Sequence, residues 1–216
     1  MNVLDNKIEQ MDRSQRRATK TRKKLITAAL SVFADLGVDA ASIGMITERA
    51  DVGKGTFYRH FSDKHELLAA LVEEALDELT ARIAANQRQA LNLEQALEQI
   101  FIAHVEFFTG NPEKYILLFQ GRMLIKLGRD LSADLEAPYL KYLQTIEDRL
   151  RRFLPESAAS TKIRRLSFAI AGFVFGFFSF AMIGLSVEEM QNSIPPLRQA
   201  FVQCMADFLG RQTVNT

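Results

Sequence analysis

An all-α fold is predicted by three features of this 216-residue sequence. Apolar residues recur at helical intervals along most of it, helix start and stop signals separate those stretches, and neither an alternating strand pattern nor an internal repeat is present. The five prolines and eleven glycines act as punctuation. With 48% hydrophobic residues, the chain can bury one substantial core, or a small domain beside a larger one.

About nine helices are expected. The first, over 20 to 36, buries Leu25, Ala29, Val32, Phe33 and Leu36 and stops at Gly37, a residue that tolerates the left-handed C-terminal position. Ser42 is a good N-cap for a second, in which Ile43, Ile46 and Ala50 share a face and which Asp51 can end in left-handed geometry. Gly53 and Gly55 flank Lys54 in a tight turn, and a third helix follows over 54 to 60. In it Phe57 and Phe61, four apart, face inward and leave Thr56, Tyr58, Arg59 and His60 outward. A long amphipathic helix over 63 to 86 carries Leu67, Leu71, Leu76, Leu79 and Ile83. Helices over 93 to 109 and from Pro112, capped by Asn111, to about Gly128 come next. Then follow 132 to 154, ahead of Pro155, and 161 to 185, and a last helix over about 196 to 209 introduced by Pro195 and Pro196.

Two short helices joined by a glycine turn, with the second crowded by outward polar groups, form a helix-turn-helix. Charge agrees. Residues 1 to 65 carry 12 Lys/Arg against 8 Asp/Glu, whereas the remainder carries 15 against 18, an asymmetry hidden by the overall +1. Residues 13 to 24, RSQRRATKTRKK, hold seven basic residues and no acid, a patch suited to phosphates.

Residues 21 to 71 resemble the N-terminal domain of the TetR family of one-component transcriptional regulators. Ser42, Ile46, Ala50, Val52, Gly55, Thr56, Tyr58, Phe61, Lys64, Glu66 and Leu67 carry the likeness. Thr47, Asp51 and Phe57 replace the usual Ala, Gly and Leu, and Gly44 stands where a basic or polar residue often helps contact DNA. The resemblance implies a three-helix DNA-binding domain and a larger helical ligand-binding and dimerisation domain. It also implies a homodimer built on a four-helix bundle of the last two long helices, and, as the family default, repression. The chain is divided accordingly into a flexible basic extension (1 to 18), a helix-turn-helix domain (19 to 65) and the body (66 to 216).

The expected DNA-binding set is Arg17, Lys20, Lys24, Ser42, Lys54, Thr56, Tyr58, Arg59, His60 and Lys64. Lys64, Tyr58 and the residues from Arg17 to Lys24 are read as phosphate contacts, and Thr56, Arg59 and His60 as base contacts. Of the 16 Phe residues, 13 lie after residue 100, so the body is aromatic and suited to a small apolar or amphipathic effector. Its expected lining is His104, Phe107, Phe108, Tyr115, Phe119, Arg122, Met123, Tyr142 and Phe173, although an aromatic stripe at helical spacing is more often core. Arg122 suits an acidic ligand, and His104 offers a hydrogen bond. The expected dimer interface comprises Gly172, Gly176, Ser179, Ile183, Phe201, Met205 and Phe208, because residues 166 to 187 form a 22-residue run without a charge.

That run is long enough to span a bilayer, and Gly172 and Gly176 form a GxxxG pair, so a membrane-tethered sensor is one alternative. It is the single such run, and a buried bundle helix has the same composition, so no stable insertion is expected. A helical interaction module without a ligand is the other alternative. Catalysis has little support: His60 and His65 do not share a helix face, the lone Cys204 has no recognisable partner, and no phosphate-cradling loop is present, so neither enzyme nor metal nor cofactor is expected. One cysteine and an opening without an apolar core predict a cytoplasmic protein.

Overall fold

The helices of the N-terminal head stack on the buried side of α1 (Arg13–Leu36), whose Leu25, Ile26, Ala29, Val32 and Phe33 are buried. The computed structural model describes residues 12 to 85, 90 to 126, 132 to 155 and 160 to 210. Among these, nine helices and no strand occur, an all-α fold. α1 starts seven residues before the expected position. Asp12 and Gln15 form a capping box that launches the helix at Arg13, so residues 13 to 18, expected as part of a flexible extension, are helical. Residues 1 to 11 lie outside the described residues. Gly37 ends the helix at φ 81°, its N–H donating to Phe33 O at 3.0 Å.

α2 (Ile43–Arg49) is capped by Ser42, whose Oγ accepts from Met45 N at 3.2 Å. Thr47, replacing a family Ala, is buried and returns its hydroxyl to Ile43 O at 2.9 Å, which keeps its polar atom satisfied. Asp51 takes φ 53°, the left-handed stop foreseen for it. α3 (Lys54–Phe57) is one turn long, shorter than the expected 54 to 60. Arg59 N and His60 N bond to Thr56 O and Phe57 O, three residues back, so the chain tightens there.

The body begins with α4 (Lys64–Ala85), where Asp63 Oδ1 accepts from His65 N and Glu66 N at 2.8 Å. α5 (Leu93–Gly110) is capped by Asn92, and α6 (Pro112–Lys126) follows directly. Then come α7 (Ser132–Arg151), α8 (Ser160–Gly184) and α9 (Val187–Gly210). The expected helix ends at 86 and 128 lie outside the described residues. α9 corrects one expectation: it starts at Val187, not near Pro196. Ser186 and Glu189 form a reciprocal cap, and Pro195 and Pro196 fall inside the helix they were expected to open.

α4 packs along α7, α7 along α8, and α9 against α5, while α6 bridges α1 and α7. Their shared core holds Leu71, Leu79, Phe101, Phe107, Phe108, Leu118, Leu135, Ile146, Ile170, Val174 and Phe201. α6 approaches its neighbours closely at Gly121, where a Cβ would sit 3.1 Å from Val72 Cγ2 and 3.2 Å from Tyr139 Oη. Arg149 is buried in the body, donating to Ile83 O at 3.1 Å and to the Gln99 side chain, and so ties the far end of α4 to α5.

Candidate functional site

The reading surface is built on two buried rings. Phe57 and Phe61 are buried, 5.8 Å apart between centroids, and Arg22 of α1 lies over Phe61 at 5.0 Å. Anchoring the turn from below turns Lys54, Tyr58 and Arg59 outward, with Thr56 and His60 partly exposed beside them. Arg59 Nη2 donates to Thr56 Oγ1 at 3.0 Å, which pre-orders the longest candidate reader. Burial, helped by the positive charges of Arg59 and Arg22, pushes the His60 imidazole below its ordinary pKa. At neutral pH it is uncharged and can both donate to and accept from a base edge. Gly44 has a structural counterpart: a Cβ there would lie 3.6 Å from Lys54 Cε and 3.8 Å from its Nζ, so Lys54 reaches across the position where α2 carries no side chain.

Two other expected members behave differently. Ser42 Oγ accepts the Met45 cap bond and keeps its O–H to donate. Lys64 is turned inward: Nζ donates to Val38 O at 2.6 Å, Ala41 O at 2.8 Å and Asp39 O at 3.3 Å. An ammonium has three donors, and all are engaged within the head. The expectation that Lys64 grips a phosphate is therefore replaced by a brace for the loop between α1 and α2. Arg17, Lys20 and Lys24 lie on α1; the latter two line a shallow groove of about 660 Å³ with Lys23, Arg49 and Asp51.

The nine expected effector contacts do not form one wall. His104 is fully buried, with Nδ1 2.6 Å from Ile100 O and Nε2 2.7 Å from Tyr142 Oη. Since a carbonyl only accepts, Nδ1 carries the proton and Nε2 accepts from the tyrosine. Burial lowers its pKa to about 4, against a weaker opposing pull from the Ile100 bond. His104 is a satisfied core residue, not a ligand donor. Phe107, Phe108, Tyr115 and Tyr142 are likewise buried; the Phe108 ring meets those of Tyr115, Phe175 and Phe178 at 5.0 to 5.3 Å. Phe173 packs on Phe201 at 5.3 Å, whereas Met123 is exposed. Phe119 and Arg122 do come together: the guanidinium lies 5.5 Å from the Phe119 centroid and 5.2 Å from that of Phe175.

The expected interface also divides. Phe201 and Met205 are buried within the chain, Phe201 stacking near Phe101 at 5.1 Å, so they are core and not interface; Phe208 packs against the same core. α8 has two faces. Ile163, Leu166, Ile170, Val174 and Phe178 point into the body, and Phe168, Gly172, Phe180 and Ile183 are open, with Ile183 84% exposed. Gly176 and Ser179 are half-buried on the rim of that face. One helix among the described residues, α8, is long and apolar enough to cross a membrane, but its inner face belongs to the core.

A contact that the sequence did not suggest joins the two units. Gln120 of α6 accepts from Val38 N at 3.2 Å and donates to Phe33 O at 3.5 Å. Val38 is thus held at its N–H by the body and at its C=O by Lys64. A single amide in the apolar run ILLFQGRML was the available signal.

The model for bacterial regulatory proteins of the tetR family matches residues 25 to 71, which contain the second half of α1, the reading turn and the start of α4. The regulator TtgW of Pseudomonas putida is 31% identical over 107 residues, 48% of this chain and 77% of that one. The chain belongs to the TetR family. Two further relatives align in different ways: the transcriptional activator FasR of Mycolicibacterium smegmatis is 33% identical over 46% of this chain and 45% of its own. The transcriptional repressor BepR of Brucella suis is 25% identical over 76% and 83%. The chain spans about half the length of the first curated relatives it matches, 45%, 63% and 55%. The fold continues beyond the TetR head into the body: the regulator FadR of Bacillus subtilis, solved in complex with stearoyl-CoA, superposes with TM-score 0.71 over 85% of this chain and 96% of that one at 17% identity.

Proposed function

We propose that this TetR-family regulator acts in the cytoplasm as a homodimeric repressor that a small apolar or amphipathic molecule releases from its operator. One observation carries the reading: Lys54, Thr56, Tyr58, Arg59 and His60 are presented together by a turn whose Phe57 and Phe61 are locked in the core. Base contacts fall to Thr56, Arg59 and His60, and phosphate contacts to Tyr58, Lys54 and the basic face of α1. The open stripe of α8 supplies the dimer contact, and two-fold pairing sets the heads into successive major grooves of a partly palindromic site. The repressor name of BepR and the stearoyl-CoA complex of FadR support the sign and the effector class.

Release requires a ligand to prefer one conformation. α6 touches both units, through Gln120 on the head side, and a crevice of about 160 Å³ between Ile26, Leu30, Leu71, Lys114 and Leu117 leaves slack where α1, α4 and α6 meet. The test is a gel shift on the DNA upstream of the protein's own gene. Wild type retards a discrete fragment, and Arg59→Ala binds with relaxed sequence preference. Equal retardation of unrelated DNA by both proteins would remove the assignment.

A further inference from the structure

Arg122 sits in the body without an acid to answer it. The residue is half-buried, its guanidinium lies across the rings of Phe119 and Phe175, and among the described residues no carboxylate lies within ion-pair distance of it. By contrast, Lys114 on the same helix is paired with Glu78, and the Arg149 guanidinium is bonded to a carbonyl and an amide. Its positive charge acts on three phenols around it, those of Tyr115, Tyr139 and Tyr142, in each case opposing the effect of burial. Those hydroxyls are already engaged, with Phe175 O, Leu118 O and the His104 ring, so none neutralises the cation. Stacking on two rings holds the cation in place, but it leaves five planar donors without an anionic partner. A planar fork fixed by two aromatic faces is matched by a carboxylate or phosphate.

Position adds a second argument. Residues 120 and 122 are separated by about 200° around a helix, so when Gln120 meets the head Arg122 faces the opposite way, into the body. An anion held at Arg122 would therefore pull on the same short segment of α6 that holds Val38.

We infer that Arg122 is the anchor for the anionic head group of the effector, whose apolar chain lies against the aromatic body. This rests on the effector reading above and narrows it from apolar or amphipathic molecules to those ending in a carboxylate or phosphate.

The experiment measures binding of dodecanoate, dodecyl phosphate, dodecanol and methyl dodecanoate, each below its aggregation limit, by calorimetry on the full chain. Wild type, Arg122→Gln and Arg122→Lys are compared, with circular dichroism of each free protein as the folding control. The expected result is at least about tenfold tighter binding of the anionic probes by wild type. That preference disappears in Arg122→Gln, with dodecanol unchanged, and is retained in part by Arg122→Lys. Comparison of dodecanoate with dodecyl phosphate identifies which head the fork prefers. Equal binding of dodecanol and the anions, unaltered in Arg122→Gln, would overturn the anchor and leave the effector reading standing. No binding of any of the four would overturn both.

Discussion

Lys64 and His104 show how a residue that reads as functional can be consumed by the fold. Lys64 begins α4, at the edge of the reading head, yet its three donors point to the carbonyls of Val38, Asp39 and Ala41. Lys64→Ala should therefore cost about 1–3 kcal/mol of stability by leaving the part-buried carbonyls of Val38 and Ala41 unpaired, with no change in the salt dependence of DNA binding. Lys20→Ala or Lys24→Ala should do the reverse, leaving the melting curve in place and lowering the slope of log K against log salt by about 1 each. Salt titrations beside thermal melts check both. His104 gives a pH dependence. Its folded pKa is near 4, depressed from about 6.5, so the unfolded chain binds the extra proton between these values. Its contribution, at most about 3 kcal/mol, is fully present above pH 6.5 and is lost as pH falls through 4. Urea midpoints of wild type and His104→Gln should converge on acidification from pH 7 to 4.5, and a constant gap would contradict the buried neutral imidazole.

Helix number, order and most caps were legible in the sequence because they are local: Ser42, Gly37 and Asp51 each act on their own turn. Starts hidden behind a stronger signal were not. The prolines at 195 and 196 suggested a helix beginning, but Ser186 and Glu189 had already nucleated one, and the Asp12 and Gln15 cap was masked by the basic run that follows it. Inner and outer faces of an element that is apolar all round were also unreadable, since periodicity fails when every position is hydrophobic. α8 is that case, and its open stripe yields a prediction. A Cβ at Gly176 would meet nothing within 4 Å, so Gly176→Glu should leave each chain folded while placing a charge on the rim of the stripe. Light scattering at micromolar concentration should show wild-type dimers and mutant monomers, with unchanged helical circular dichroism. A mutant that still dimerises would put the interface elsewhere.

Across the whole molecule, the long-range contacts are the ones that no spacing rule announces: Gln120 to Val38, Arg149 to Ile83, Tyr115 to Phe175. They join residues far apart in sequence, which only the finished packing brings together. Of these, the Gln120 bond tests the proposed release. Gln120→Leu removes the bond to Val38 N while leaving the Lys64 brace, so operator affinity should stay within about threefold of wild type. The release produced by an effector should fall towards nothing from the 5- to 150-fold typical of coupled sites. A competition gel shift with and without effector measures both numbers, and full release by the mutant would route the coupling elsewhere. The tight passage at Gly121 has a consequence of its own. The residue is flanked by the amide that holds the head and by the cation that faces the body, and it has room for a hydrogen but not comfortably for a methyl. Gly121→Ala would require α6, Val72 or Tyr139 to give by a few tenths of an ångström; on the repressor reading proposed above, a shift taken up by α6 would leave the regulated genes read as though the inducer were present, in cells that never encounter it.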